Sequence, residues 1–109
     1  MNIKRIKELQ KLLEKNPLDP FLLYAMTLEF LGKNNKFCLA SFRKLLTEFP
    51  DYLPTYYQAA QLFADCGYLE EARATYELGI EKTAFSKNTK ALDEIKNAFS
   101  NFKFEHDGQ

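Results

Sequence analysis

The sequence has little of what catalysis, export or charge-driven binding needs. It contains one histidine, two cysteines, four glycines and four prolines in 109 residues. His106 stands close to the C-terminal end, in a stretch that reads as a solvated tail. Two cysteines and one tail histidine cannot assemble a convincing structural zinc site, so neither a metal nor a cofactor is expected. Acidic pairs such as Glu70-Glu71 and Asp93-Glu94 are adjacent, so on a helix they point different ways and read as capping charges, not as a catalytic couple. No glycine-rich phosphate loop and no nucleophile motif is present. The expectation is a protein that is not an enzyme and has no small-molecule substrate.

Long apolar runs are also lacking. No stretch of about 18 apolar residues exists to span a bilayer, and charges at Lys4 and Arg5 interrupt the N-terminus too early for a signal peptide. With no export signal, Cys38 and Cys66 read as reduced thiols in a cytoplasm. Cys38 suits a small buried position and Cys66 a half-exposed one, with no disulfide between them. Net charge is missing as well: 15 basic and 15 acidic side chains cancel. That removes the electrostatic case for nucleic acid or an acidic membrane surface.

What the chain does have is periodicity. Leu9-Leu12-Leu13-Pro17, Phe42-Leu45-Leu46-Pro50 and Tyr76-Gly79-Ile80-Ala84 share one spacing, at offsets of 33 and 34 residues. A second pattern, Leu23-Met26-Phe30, Tyr56-Ala59-Phe63 and Leu92-Ile95-Phe99, interleaves at offsets of 33 and 36. Each is an apolar stripe with helical spacing, and two such stripes alternating at a period of about 34 define an array of helical repeats. Binding is the expected role of such an array, ahead of catalysis.

The stops place six helices and no strands. Helix 1 is expected from Asn2 to Lys15, with Ile3, Ile6, Leu9 and Leu13 inward, Lys4, Lys7, Lys11 and Lys15 outward, and Asn16-Pro17 as its end. Helix 2 begins at Asp19-Pro20, where the aspartate caps free amides and proline suits the first turn, and it runs to Gly32. Helix 3 covers about Lys36 to Glu48. Helix 4 starts at Pro54 and stops at Gly67, the usual residue for a left-handed C-terminal cap. Helix 5 starts near Tyr68, with Glu70 and Glu71 favoured by the dipole, and fades by Ala84. Helix 6 runs from Asn88 or Thr89 to about Lys103, leaving 104–109 as a frayed tail.

These residues resemble the tetratricopeptide repeat, a helix–turn–helix unit with the signature W-x2-L-G-x2-Y, then A-x3-F, A and P. From Pro54 to about Ala84, Tyr56 stands in for the tryptophan, Ala59-Ala60 for the Leu-Gly pair and Phe63 for the tyrosine. Gly67 makes the turn, Ala72 is the small residue of the second helix, Tyr76 its aromatic and Gly79 the next small one, while Ala84 replaces the closing proline. The unit from Pro20 to Pro50 is more worn, keeping Leu23, Met26-Thr27, Phe30, Cys38, Phe42, Leu45 and Pro50. Helix 1 resembles only the second half of a repeat, with Arg5 where a small residue belongs. Helix 6 resembles a first half through Leu92, Ile95 and Phe99, with Lys96 in place of the small neighbour, and reads as a capping helix with one wet face. The string Asp19-Pro20-Phe21, Tyr24-Ala25 and Glu29 is similar to that of small stand-alone bacterial proteins of this family.

The resemblance implies an all-α right-handed superhelix over 1–103: a half-repeat helix (2–16), repeat one (19–50), repeat two (53–84) and a capping helix (88–103), complete and self-capped. Small residues at Ala59, Ala60, Ala72 and Gly79 would let helix axes approach, with Tyr56, Phe63 and Tyr76 filling the holes opposite. The family's function lies on the concave face lined by the first helix of each repeat. Here that face would be Phe21, Tyr24, Ala25, Leu28 and Leu31 from helix 2, with Tyr57, Gln58, Gln61 and Asp65 from helix 4. An apolar row beside a polar one suits a peptide or amphipathic helix, and Tyr24 and Tyr57 are the expected anchors. The competing reading is that Phe21, Leu28 and Leu31 are covered by helix 1 or by a second copy. The lysine–asparagine clamp of the family's chaperone-binding members is absent, since Tyr24, Leu28, Tyr57 and Gln61 stand at or near those places, so an acidic chaperone tail is not the expected ligand.

Charge is uneven along the chain. Residues 1–47 carry nine basic and four acidic side chains, while 48–81 carry one basic, Arg73, and seven acidic ones. The plain reading is solvated helix faces. The sharper reading is an acidic second repeat offered to a basic partner, including the N-terminal half of another copy. Two functions follow: an adaptor holding a segment of an unidentified protein, or a module of self-association.

Overall fold

A computed structural model describes residues 1–107, and its described residues form six α-helices and no strands. They are α1 (Ile3–Lys15), α2 (Pro20–Glu29), α3 (Asn35–Glu48), α4 (Pro54–Asp65), α5 (Leu69–Phe85) and α6 (Thr89–Asp107). The chain divides into two compact units, Met1–Thr55 and Tyr56–Gln109, with the division inside the first turn of α4.

In the first unit α1, α2 and α3 each start at an asparagine or aspartate cap. Asn2 Oδ1 accepts from the Arg5 amide at 3.0 Å, Asp19 Oδ1 from Phe21 at 3.0 Å and Asn34 Oδ1 from Phe37 at 3.0 Å. Each satisfies an amide that the first turn leaves without an intrahelical partner. The Asn34 cap falls between helix 2, expected to run to Gly32, and helix 3, expected from about Lys36. At the other end of α1, Asn16 closes the helix, its side-chain amide donating to the Leu12 carbonyl at 3.0 Å. The core of this unit is Leu9 of α1 against Leu22, Ala25 and Met26 of α2, with Ile6, Leu13, Phe30 and Phe37 at its margin. Cys38 is fully buried, and its thiol donates to the Thr27 carbonyl at 3.4 Å. Ile3 and Leu12, by contrast, remain exposed.

Helix α2 is shorter than its pattern suggests. It ends at Glu29, with Phe30 as C-cap, and the Phe30 and Leu31 amides turn to the carbonyls three residues back. The chain then reverses through Gly32 at φ 77°. Leu31 therefore lies beyond the helix, not on its face.

In the second unit α4 ends in a Schellman arrangement. Gly67, at φ 88°, donates to the Ala64 carbonyl at 3.1 Å and Tyr68 to the Phe63 carbonyl at 2.8 Å. Such a left-handed position costs glycine almost nothing. Helix α5 has no side-chain cap bond at Tyr68 and carries Glu70 and Glu71 in its first turn, where the dipole favours anions. Without a closing proline it runs to Phe85, and the turn that follows holds Lys87 at φ 62°.

Gly79 is where three helices of this unit meet. A Cβ added there would lie 2.6 Å from Tyr56 Cβ of α4 and 2.7 Å from Ile95 Cδ1 of α6. Below it, Tyr76 stacks on Phe99 with centroids 5.4 Å apart, and Phe102 packs at 5.6 Å from Tyr76.

The C-terminal end differs from the frayed tail expected over 104–109. Helix α6 continues to Asp107, because its last turns find partners on α5 and on α6 itself. Arg73 Nη2 donates to both carboxylate oxygens of Asp107 at 2.7 Å, the Arg73 guanidinium lies 5.4 Å from the centre of the Phe102 ring, and the His106 ring rests on Phe102 at 4.7 Å. Residues 108 and 109 lie outside the described residues.

Candidate functional site

In the first unit the α2 row expected to bind separates by burial. Phe21 is 53% exposed, Tyr24, Leu28 and Leu31 are half-buried, and Ala25 belongs to the core. Tyr24 meets the Tyr52 ring edge-on at 5.5 Å. Burial and Tyr52 raise the Tyr24 phenol above its ordinary value of 10.0, and burial followed by the Asp19 carboxylate raises Tyr52. A shallow hollow of about 380 Å³ lies beside Pro20, lined by Glu48, Phe49, Pro50, Asp51 and Tyr52. None of Phe21, Tyr24, Leu28 and Leu31 lines it.

In the second unit the α4 row does reach a cavity. Tyr57, Gln61 and Asp65 recur every four residues, so they share a helix face. They form one wall of an open cleft of about 200 Å³ whose other wall is Ala98, Asn101, Phe102 and Glu105 of α6, with Tyr76 of α5 between them. Gln58, one residue from Tyr57 and so about 100° round the helix, is not part of that lining.

The cleft is polar. Among the described residues the side chains of Gln61, Asp65 and Asn101 make no hydrogen bond or ion pair, and Glu105 has only a 3.8 Å approach to His106 of its own helix. Tyr76 is 4% exposed, and its phenol is pushed up to about 12, by burial first and then by Tyr57, Asp65 and Glu105. The arrangement offers acceptor oxygens and amides in a hollow open to solvent. Nothing in it is arranged as a nucleophile and base, and no group of three or more His, Cys, Asp or Glu side chains among the described residues could hold a metal ion.

Sequence reasoning missed the α6 wall and the role of Tyr76. Asn101 and Glu105 share a face of α6 at a spacing of four, but a helix taken as a cap ending near Lys103 gave no reason to weigh them.

The fold is an all-α helical repeat. The chain resembles two solved structures, a solution NMR structure and a crystal structure of a tetratricopeptide repeat domain protein from Salinibacter ruber. It is 34% identical to each, with a TM-score of 0.74; the match covers 80% of this chain and 89% of the first, and 78% and 97% for the second. The chain belongs to the tetratricopeptide repeat family, whose helical modules are generally involved in protein interactions. No protein-family profile and no curated protein matches it. No helix among the described residues is long and apolar enough to cross a membrane.

Proposed function

We propose that this chain is a non-enzymatic adaptor of the cytoplasm, one helical domain over 1–103, that binds a peptide or helix of another protein. Its binding residues are Phe21, Tyr24, Leu28 and Leu31 in the first unit and Tyr57, Gln58, Gln61 and Asp65 in the second. The observation that carries the reading is the α4 row. Tyr57, Gln61 and Asp65 stand along an open cleft, and the Gln61 and Asp65 side chains are left without internal partners. Polar groups that packing alone would place anywhere on the surface are here gathered in a hollow. Tyr57 brings a half-buried ring that gives contact area at low entropic cost. No nucleic acid, membrane, metal or small-molecule substrate enters this reading.

The test is affinity capture from the native host with wild type and Tyr57→Ala. Partners should be lost from the variant while its helical circular dichroism is retained; an unchanged partner set would sink the assignment. Self-association is the second reading, favoured by exposed Lys4, Lys7, Lys11 and Lys15 on α1 and the acid-rich stretch 48–81. It requires a salt-sensitive dimer in light scattering, and a monomer at every concentration and salt removes it.

A further inference from the structure

The α4–α6 cleft has a chemical bias that helix packing does not require. Carboxylates stand on both walls, Asp65 on α4 and Glu105 on α6, the amides of Gln61 and Asn101 line the cleft with them, and no lysine, arginine or histidine does. The cations of α5 and α6 that lie nearest in sequence are engaged elsewhere. Arg73 holds Asp107, and the Lys103 ammonium sits 4.5 Å from the centre of the Phe99 ring. The cleft also lies at the edge of the most acidic stretch of the chain, residues 48–81, with seven carboxylates and one arginine.

A second observation points the same way. Tyr76 is more than nine-tenths buried, its ring stacked on Phe99 and packed against a tilted Phe102. Its phenol feels Tyr57, Asp65 and Glu105, all residues of the cleft, so its oxygen end faces that hollow. Among the described residues this hydroxyl makes no hydrogen bond. The hydroxyl opens on the cleft, among acceptors that a bound donor would complement.

We propose that the cleft receives the cationic side chain of a lysine or arginine on the partner protein. Asp65 and Glu105 flank the charge from opposite walls, the Tyr76 hydroxyl accepts one of its N–H groups, and the amide oxygens of Gln61 and Asn101 take others. This rests on the reading of the α4 face as a protein-binding surface. The chemistry selects the occupant. An anion would meet two carboxylates. A hard divalent cation wants six or more oxygen ligands at close range, whereas an ammonium carries three donors and a guanidinium five on a planar fork. A hollow of about 200 Å³ suits one side chain, not a helix. The acidic surroundings raise the local concentration of a basic segment and speed its encounter.

The experiment uses the full chain, isotopically labelled, titrated by NMR with capped tripeptides Gly-Lys-Gly and Gly-Arg-Gly. Matched peptides with norleucine or glutamate at the centre serve as controls. The expected result is saturable shifts of the Gln61 and Asn101 side-chain amides with a basic peptide and none with the controls. Affinity should fall at least about tenfold in D65N/E105Q and severalfold in Tyr76→Phe, and it should weaken with added salt. Asp65 and Glu105 are exposed, so the double variant keeps its fold, which circular dichroism checks. Equal shifts with norleucine, no saturation by either basic peptide, or unaltered affinity in D65N/E105Q would overturn the proposal. If the basic peptides fail while Tyr57→Ala still loses partners, protein binding stands and the cation assignment falls. A dimer that the lysine peptide dissociates and that charge reversal at Lys4 and Lys7 abolishes would place a second copy in the cleft, against a separate partner.

Discussion

Gly79→Ala separates two opposing effects whose sizes can be set beside each other. In the middle of α5, alanine is the better helix former by about 1 kcal/mol, so an exposed site would gain from the change. Here the new Cβ would sit 2.6 Å from Tyr56 Cβ, 3.1 Å from Tyr56 Cγ and 2.7 Å from Ile95 Cδ1, where carbon pairs prefer about 3.5–4.0 Å. Ile95 Cδ1 is the far end of a flexible side chain and can swing away. Tyr56 Cβ is fixed to the α4 backbone, so relief there means moving α4 against α5 by about 1 Å. Overpacking of this kind costs about 1–3 kcal/mol, and a clash against a backbone-anchored carbon belongs at the upper end. The net expectation is a loss of about 2 kcal/mol after the propensity gain, a fall in Tm of roughly 8–16 °C for a chain of this size. Gly79→Leu should be worse. The assay is thermal and urea unfolding by circular dichroism. Gly67 supplies the control, since nothing lies within 4 Å of a Cβ there but φ is 88°. At Gly67 asparagine, which tolerates left-handed backbone, should be milder than alanine; at Gly79 the larger asparagine should be worse than alanine. Gly79→Ala as stable as wild type, or the same ranking at both positions, would refute the helix-crossing argument.

Two further outcomes follow from the second unit. Lys87 holds φ at 62°, which costs a side-chain-bearing residue about 1–2 kcal/mol, so Lys87→Gly should stabilise by roughly 0.5–1 kcal/mol after the added entropy of the unfolded glycine, read as a higher urea midpoint. The Tyr76 phenol, at about 12 when folded against 10.0 ordinarily, stays protonated in the folded chain after it has ionised in the unfolded one; its contribution is therefore full below pH 10 and lost as pH rises towards 12. Urea midpoints measured from pH 9 to 12 should fall less steeply in Tyr76→Phe than in wild type, and parallel curves would contradict the burial of that side chain.

The fold was legible in the sequence wherever its determinants are local. The Asp19–Pro20 cap and the left-handed Gly67 act within one turn, and the two interleaved stripes encode which faces pack. The errors lie where the cause is distant. Nothing near residue 104 announces that α6 continues, because the anchor of Asp107 is Arg73, 34 residues before it. The end of α2 was misplaced because Phe30 and Leu31 continue the apolar pattern while their amides have already turned. Asn34 caps α3 between the two expected helices, and its residue type alone does not separate a cap from a turn, two roles that asparagine fills equally well. Of the candidate row, Tyr57, Gln61 and Asp65 come together at a cavity because a spacing of four is enough to share a helix face. Gln58 and Ala25 show the limit of that reasoning, since one residue of offset carries a side chain out of the cleft or into the core. Tyr76 was legible as a packing aromatic, but a hydrophobic stripe predicts where a ring goes and not where its oxygen points.

On the proposed reading, the last turns of α6 bear on binding more than on stability. An exposed ion pair such as Arg73–Asp107, with side chains 37% and 42% accessible, contributes at most about 1 kcal/mol. The Phe102–His106 contact adds a ring edge at the same end. Neither is needed to bury α6, whose Ile95, Phe99 and Phe102 already do so. What these contacts do is keep the helix wound past Lys103, and Glu105 lies on that final stretch. Were α6 to fray where its apolar stripe stops, the cleft would keep Asp65 on one wall and lose the carboxylate that faces it. A helix that only capped the stack could end at Phe102 with its apolar row complete. The extra turn and its tie to α5 add Glu105 to the α6 wall of the cleft.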